Sequence, residues 1–204
     1  MAGEARDACG VVGIYAPGED VARLTYYALY ALQHRGQESA GIAISDGQTI
    51  VVYKELGLVA QVFDEMVLKS LRGDLAIGHT RYSTTGSTTW ENAQPSYKSS
   101  DAGQVALSHN GNLVNTVDLE RSLAEVGGDP TPTGARLASS SDTEVVAAHI
   151  ARANKGDMAE SLLEVLPKLR GAFSFTIMNE KRVFGARDPH GFRPLAIGRL
   201  ESGG

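Results

Sequence analysis

The sequence contains almost no cysteine, since Cys9 is the only one among its 204 residues. One thiol cannot form a disulfide within the chain, so the composition gives no sign of an oxidising compartment. The first ten residues, MAGEARDACG, are too polar and acidic to resemble a secretory signal. These features together predict a cytoplasmic protein.

Long apolar runs and basic clusters are also missing. No apolar stretch approaches the roughly 18 residues that a membrane-spanning helix needs. The formal net charge is −5 and no block of lysine and arginine occurs, which argues against a nucleic-acid surface. One cysteine with scattered histidines lacks the spacing of a zinc site, and no glycine-rich phosphate motif is present. The sequence therefore predicts no metal site and neither nucleic acid nor membrane as a partner.

What the sequence does contain is a regular series of strand and helix patterns. The first half predicts, in order, a strand at 10–16, a helix from Val21 to about Arg35 capped by Asp20, a hairpin at 39–45 and 49–55, a helix at 62–71, a strand from Asp74, and a long polar loop at 83–96. The second half predicts a strand at 104–111, a helix at 118–127, a loose segment at 128–141, a helix capped by Asp142, a helix at 157–169, a strand at 172–178, and two strand pieces around a turn at 188–191. Because the strands are grouped rather than alternating strictly with helices, the order favours a mixed α+β fold.

Four short segments carry candidate chemistry, although each also has an ordinary structural explanation. Cys9 precedes the first strand, and Arg81 ends a later strand just before a flexible loop. The Asn110 carboxamide stands beside the uncrowded backbone N–H of Gly111, a pair of donors suited to an oxyanion. Asp142 begins a helix. The alternatives are a buried thiol, a surface ion pair, a turn and a helix cap.

A nucleophilic cysteine needs a base, and the sequence offers several. The chain has five histidines: His34, His79, His109, His149 and His190. The sequence does not choose among them, except that the apolar helical pattern around His149 predicts a structural role there.

Seven segments in order resemble one known family: CGVVGIY, LQHRGQESAGIA, GHTRYSTTG, SHNGNLVN, SSSDTEV, LRGAFSF and RDPHGFRPLAIG. They are similar to the glutaminase domain of the glutamine phosphoribosylpyrophosphate amidotransferase (amidophosphoribosyltransferase) family, within the class II, N-terminal-nucleophile amidotransferases. The resemblance runs from Asp7 to about Gly198. It implies a four-layer αββα sandwich, with two mostly antiparallel sheets between outer helices. It also implies a propeptide at 1–8, a glutaminase domain at 9–204, and a C-terminal phosphoribosyltransferase domain that this chain lacks.

The resemblance gives Cys9 the role of first residue after removal of residues 1–8. A free α-amine has a pKa of about 7.7–8.0 and an unperturbed thiol about 8.5, so the two groups exchange a proton at little cost. The freed amine of Cys9 would then serve as the base for its own thiol, and no histidine would be needed.

The other site residues also follow from the resemblance. Asn110 and Gly111 would hold the oxyanion of the tetrahedral intermediate. Arg81 would bind the α-carboxylate of glutamine and Asp142 its α-ammonium group. Thr84, in the same loop as Arg81, would touch the substrate. Three further matching residues, Arg35, Gly36 and Asp188, would either shape the surroundings of the nucleophile or serve the fold alone.

The implied activity is hydrolysis of glutamine to glutamate and ammonia. The ammonia would pass to phosphoribosylpyrophosphate in the missing domain and give 5-phosphoribosylamine, in the first step of de novo purine synthesis. The fragment itself would need no cofactor, magnesium is expected in the missing domain, and the full-length protein is expected to be a homo-oligomer. Two alternatives remain open. One is the glutaminase domain of a glucosamine-6-phosphate synthase-like enzyme, which the QES segment at 37–39 disfavours, and the other is a non-catalytic relic that binds glutamine.

Overall fold

The computed structural model describes residues 9–82, 89–125, 137, 139 and 141–200. These residues contain two four-stranded antiparallel sheets. The first sheet has the order β1-β4-β2-β3 and consists of β1 (Gly10–Tyr15), β2 (Ser39–Ser45), β3 (Ile50–Leu56) and β4 (Leu75–Arg81). The second has the order β5-β6-β7-β8 and consists of β5 (Ser96–Ser100), β6 (Gly103–Leu113), β7 (Gly171–Met178) and β8 (Val183–Arg187).

Helices cover the outer face of each sheet. The first sheet carries α1 (Val21–Leu32), α2 (Val59–Val62) and α3 (Glu65–Ser70), and the second carries α4 (Thr116–Glu125), α5 (Asp142–Ala153) and α6 (Met158–Val165). Single 3-10 turns lie at Gln33–Arg35, Trp90–Asn92 and Leu166–Lys168. No helix in these described ranges is long and apolar enough to cross a membrane.

Three apolar layers hold the sandwich together, one under each group of helices and one between the sheets. The alternation of side chains along β4 shows how one strand serves two layers. Ala76 packs toward the helices, whereas Leu75 and Ile77 pack against Ala106 and Met178 of the second sheet. The predicted four-layer αββα sandwich of the α+β class is therefore confirmed.

Several predicted elements are confirmed in detail. The strand at the start of the chain is β1, and the hairpin is β2 and β3. Asp20 caps α1 as expected, because its Oδ1 accepts a hydrogen bond from the backbone N–H of Arg23 at 3.0 Å. The strand predicted from Asp74 is β4.

The structure differs from the predicted elements in four places. The single helix at 62–71 is two short helices, because Phe63 is extended and Asp64 caps a new helix through the backbone N–H of Val67. The strand β5 was missed because SYKSS has no apolar alternation and lies at a sheet edge. Residues 188–200 form no second strand after β8. The cap of α5 is Ser141, and Asp142 is the first helical residue.

Candidate active site

The thiol of Cys9 lies beside the end of β4. Cys9 directly precedes β1, whose first residue, Gly10, pairs with Thr80. The sulfur is 3.4 Å from the backbone nitrogen and 3.5 Å from the carbonyl oxygen of Tyr82. Burial raises the pKa of the Cys9 thiol, and the Tyr82 backbone and the Arg81 charge offset only part of that effect. The thiol therefore needs a base to become a nucleophile at neutral pH.

The segment Arg35–Gly36 packs against the same place. Arg35 Nε lies 3.4 Å from the carbonyl oxygen of Cys9, to which it donates. A β-carbon on Gly36 would lie 2.6 Å from backbone atoms of both Thr80 and Arg81. Only glycine allows this close approach, so the segment fixes the backbone around the cysteine.

Arg81 presents a buried cation between the two sheets. It lies on the face of β4 that also carries Leu75 and Ile77, which pack against the second sheet. Its side chain is 10% exposed, and Nη1 is 3.9 Å from Oε2 of Glu38. Nη1 forms no hydrogen bond with any part of the chain that the structure describes. A guanidinium placed in this way is suited to bind a carboxylate.

Asn110 and Gly111 lie near the end of β6. Alternation along β6 puts Asn110 on the same face as Ala106, which contacts the first sheet. The Asn110 side chain is buried, and its Oδ1 has no hydrogen-bond partner among the described residues. Gly111 has a φ of +153°, and a β-carbon there would lie 2.0 Å from the carbonyl oxygen of Ala172. No side chain fits at position 111, so the strand needs glycine directly after Asn110.

One hydrogen bond joins the two strands that carry these groups. His79 Nε2 on β4 lies 3.0 Å from the carbonyl oxygen of His109 on β6. His79 is two residues before Arg81, and His109 directly precedes Asn110. The thiol, the guanidinium and the carboxamide therefore lie at the same end of the sandwich, where the ends of β4 and β6 meet.

Asp142 is joined to the end of β6 by its carboxylate. Its Oδ2 accepts from the backbone N–H of Leu113 at 3.0 Å, and its Oδ1 lies 3.3 Å from both His109 Nδ1 and Thr143 Oγ1. Burial favours the neutral acid, but the hydrogen bonds and charge of His109 and the Leu113 N–H outweigh it, so the pKa of Asp142 is lowered. The carboxylate is ionised at neutral pH and can pair with a cation. Ser141 makes the capping bond instead, through its Oγ and the backbone N–H of Thr143.

Asp188 binds backbone N–H groups next to the site. Its Oδ2 accepts from the backbone N–H of Phe173, the residue that pairs with Gly111 across β6 and β7. Its Oδ1 accepts from the backbone N–H of His190. Asp188 therefore fixes the strand next to Gly111. Thr84 and the predicted propeptide at 1–8 lie outside the described residues.

Gln94 and His79, to which the sequence assigned no positioning role, connect these groups. Gln94 accepts from the backbone N–H of His109 at 2.7 Å and donates to Thr143 Oγ1 at 2.9 Å. The sequence treated His79 only as a possible base for the cysteine, and Gln94 had no pattern to mark it. The only sequence signal for His79 is its position on the same face of the predicted strand as Leu75 and Ile77. Among the residues described, no three of His, Cys, Asp and Glu are grouped to hold a metal ion.

Comparison with known proteins agrees with the motifs. The family described as "Glutamine amidotransferase domain" matches residues 79–204. The amidophosphoribosyltransferase of Mycobacterium tuberculosis H37Rv is 52% identical over 200 residues, which are 97% of this chain and 38% of that protein. The amidophosphoribosyltransferase of Synechococcus elongatus is 50% identical over 200 residues, with 97% and 39% covered. This chain thus spans about two fifths of the length of these relatives.

Two solved structures share the fold closely. One is the glutamine phosphoribosylpyrophosphate amidotransferase from B. subtilis complexed with ADP and GMP, with a TM-score of 0.81 and 41% identity over 94% of this chain and 40% of that chain. The other is described as the allosteric regulatory enzyme of purine biosynthesis, with a TM-score of 0.82 and 42% identity over 93% and 39% of the two chains. Because the family match covers more than half of the chain, this protein belongs to the glutamine amidotransferase domain family.

Proposed function

We propose that this chain is the glutaminase part of an amidophosphoribosyltransferase. It hydrolyses the side-chain amide of glutamine and supplies the ammonia to phosphoribosylpyrophosphate, which gives 5-phosphoribosylamine in the first step of de novo purine synthesis. The observation that carries the proposal is the meeting of the Cys9 thiol, the buried Arg81 guanidinium and the buried Asn110 carboxamide at one end of the sandwich. The names of the similar proteins support the same reaction.

The reaction begins at Cys9. Removal of residues 1–8 converts the amide nitrogen of Cys9 into a free amine, which takes the thiol proton directly or through a water molecule. The sulfur attacks the side-chain carbonyl carbon of glutamine and forms a tetrahedral oxyanion. The nitrogen then leaves as ammonia with the proton that the amine returns, and a thioester remains. Water hydrolyses the thioester to glutamate and restores the thiol.

The transition state is stabilised by the end of β6. The Asn110 carboxamide and the Gly111 backbone N–H donate hydrogen bonds to the oxyanion. Loss of one such donor costs about 3–4 kcal/mol of transition-state stabilisation. The buried position of Asn110 strengthens these bonds, because little water competes for the donors.

Substrate selection depends on two opposite charges. Arg81 binds the α-carboxylate of glutamine through paired hydrogen bonds, and the Asp142 carboxylate binds its α-ammonium group. Thr84 contributes a further contact from the adjacent loop. A simple amide lacks both charged groups and can form neither of these ion pairs, so the site favours an amino acid.

The remaining steps of the proposed reaction take place outside the glutaminase site. Phosphoribosylpyrophosphate and magnesium bind to a separate phosphoribosyltransferase domain, and the complete protein is a cytoplasmic homo-oligomer. The fragment itself uses no cofactor. On its own it releases ammonia to water and transfers none.

The proposal is tested by glutamate release from a chain that begins at Cys9. We expect this chain to hydrolyse glutamine, the chain with residues 1–8 attached to be nearly inactive, and Cys9→Ala to be inactive without its leader. Cys9→Ser is the matched control, because it keeps the shape of the side chain and only changes the nucleophile. Equal glutamate release from the unsubstituted chain and from Cys9→Ala would reject the nucleophile. No release from a folded chain that begins at Cys9, together with retained glutamine binding, would instead identify the relic.

Acceptor choice is tested on the complete protein. Glutamine-dependent consumption of phosphoribosylpyrophosphate is the expected result. Consumption of fructose 6-phosphate instead would identify the glucosamine-6-phosphate synthase-like alternative.

A further inference from the structure

His109 is held from three directions by three different parts of the fold. Its backbone N–H donates to Gln94 Oε1 at 2.7 Å, and its carbonyl oxygen is 3.0 Å from His79 Nε2. Its ring Nδ1 is 3.3 Å from Asp142 Oδ1. The ring also packs on Phe175, with 4.6 Å between the ring centroids, and the side chain is 1% exposed. These contacts fix both the backbone and the ring of His109, the residue directly before Asn110 in the sequence.

The protons on both histidine rings follow from their partners. Burial lowers the pKa of His79 to about 3, so its ring is neutral and carries a single N–H. A carbonyl oxygen only accepts, so that hydrogen is on Nε2, which faces the carbonyl of His109. At His109 the ionised Asp142 carboxylate likewise only accepts, so Nδ1 carries the hydrogen.

We propose that His79 and His109 are positioning residues for the two ends of the glutamine site. His79 fixes the peptide segment that carries the Asn110 and Gly111 donors, and the His109 ring fixes the Asp142 carboxylate. The inference rests on the proposed function, because it assigns those two ends to glutamine.

The role of His79 follows from the position of its bond. It donates to the carbonyl of the residue immediately before Asn110, and it reaches that carbonyl from the opposite sheet. Donors to an oxyanion are effective only when they already stand where the charge develops. Without the His79 hydrogen bond, the His109 carbonyl is buried without this donor, and the segment loses one of the contacts that fix its position. We therefore expect His79 to affect kcat.

The role of His109 follows from the hydrogen bonds of Asp142. The Leu113 N–H holds one carboxylate oxygen, and His109 with the Thr143 hydroxyl holds the other. Loss of the His109 donor leaves the second oxygen with one weaker partner, so the carboxylate can rotate about its last bond. We therefore expect His109 to affect recognition of the α-ammonium group, and hence KM.

The test of His109 uses two substrates and a chain that begins at Cys9. The first substrate is glutamine, and the second is 4-carbamoylbutanoate, which is glutamine without its α-ammonium group. His109→Leu should raise KM for glutamine about tenfold or more, the usual effect of losing a hydrogen bond to a charged group. It should leave kcat/KM for 4-carbamoylbutanoate within about twofold, so the preference for glutamine shrinks by about tenfold. His109→Asn keeps an N–H at the position of Nδ1 and should restore the preference.

The test of His79 measures the chemical step. His79→Leu should lower kcat about tenfold for both substrates, the usual effect of losing one buried hydrogen bond, and change KM little. His79→Gln keeps an N–H at the position of Nε2 and should restore kcat. The matched control is His149→Leu in α5, because His149 Nε2 also lies 3.0 Å from a backbone carbonyl, that of Leu119, away from the site. This control should change neither parameter.

The outcomes separate this inference from the proposed function. The role of His109 would be overturned if His109→Leu lowered kcat/KM equally for both substrates, or if His109→Asn did not restore the preference for glutamine. A raised KM with unchanged kcat in His79→Leu would overturn the role of His79. If a leucine variant does not fold, His109→Asn is compared with His109→Gln, which displaces the donor by one bond, and equal substrate preferences would overturn the inference. An unchanged preference in Asp142→Asn would reject the proposed role of Asp142 itself.

Discussion

Replacement of Gly111 by alanine tests whether the end of β6 needs a residue without a side chain. Gly111 has a φ of +153°, which residues with a β-carbon rarely adopt. The added carbon would lie 2.0 Å from the carbonyl oxygen of Ala172 and 2.8 Å from the Cα of Phe173. Both are backbone atoms of the neighbouring strand β7, so neither can rotate away as a flexible side chain would.

The magnitude follows from the distance that must open. Ordinary contact between such atoms begins at 3.4 Å, so β6 and β7 must separate by about 1.4 Å at this point. Overpacking of this kind and backbone strain each cost about 1–3 kcal/mol, so Gly111→Ala should lower the free energy of unfolding by about 2–6 kcal/mol. The backbone N–H at position 111 moves with the strand, so kcat for glutamine should fall by about 100- to 1,000-fold.

The assay is urea unfolding together with glutamate release from chains that begin at Cys9. The matched control is Gly156→Ala, because Gly156 also has a positive φ, +112°, but has nothing within 4 Å of an added β-carbon. The control should show only the backbone strain, about 1–3 kcal/mol, and full activity. Equal losses of unfolding free energy in the two variants, with glutamate release retained in Gly111→Ala, would refute the reasoning.

Three further predictions concern charge. Arg81→Ala should raise KM for glutamine by about 10- to 100-fold, whereas Arg199→Ala, an exposed arginine with no assigned partner, should not; similar KM values in steady-state assays would contradict the anchor. The pKa of His79 is about 3 in the fold and near 6.5 in the unfolded chain, so the unfolded chain binds more protons below pH 6.5. The free energy of unfolding should therefore fall as the pH drops from 6.5 toward 3. In His79→Gln the urea midpoint should depend less on pH over this range. Lys98→Met should lower the free energy of unfolding by about 3–5 kcal/mol, because it removes the lysine that lies 2.6 Å from the buried Glu144 carboxylate. The control is the double variant Lys98→Met/Glu144→Gln, which should lose less free energy of unfolding than Lys98→Met alone.

Local patterns explain why much of the fold was predictable. Residues 10–16 are a short apolar, β-branched run, and residues 39–55 contain two strand-like segments around the Asp46–Gly47 turn. The structure has β1, β2 and β3 there. Asp20 was recognisable as a helix cap because the residues after it have a clear apolar stripe at helical spacing. The layering was not local. It was implied only by the resemblance to a known family, and it is confirmed by the apolar layer between the sheets.

The parts that were missed depend on contacts distant in sequence. β5 is polar, and its place in a sheet is set by its pairing with β6. Asp142 has the sequence of a helix cap, but Leu113 and His109 take up its carboxylate, so the cap falls to Ser141. No periodicity reports on a bond such as that between His79 and His109, which spans 30 residues and two sheets.

The two charges of the site place a condition on the rest of the fold. Arg81 belongs to the first sheet, while Asp142 is fixed to the end of a strand of the second sheet. Under the proposed function, the α-carboxylate and α-ammonium groups of one amino acid are bound from different sheets. Their binding therefore depends on the distance between the sheets, which the apolar layer between them keeps nearly constant. Both charges are compensated within the chain, Arg81 by Glu38 and Asp142 by His109 and the backbone N–H of Leu113. The neighbours that compensate the two charges also fix the positions of the side chains that carry them. We therefore expect changes around Arg81 and Asp142 to alter both substrate recognition and stability.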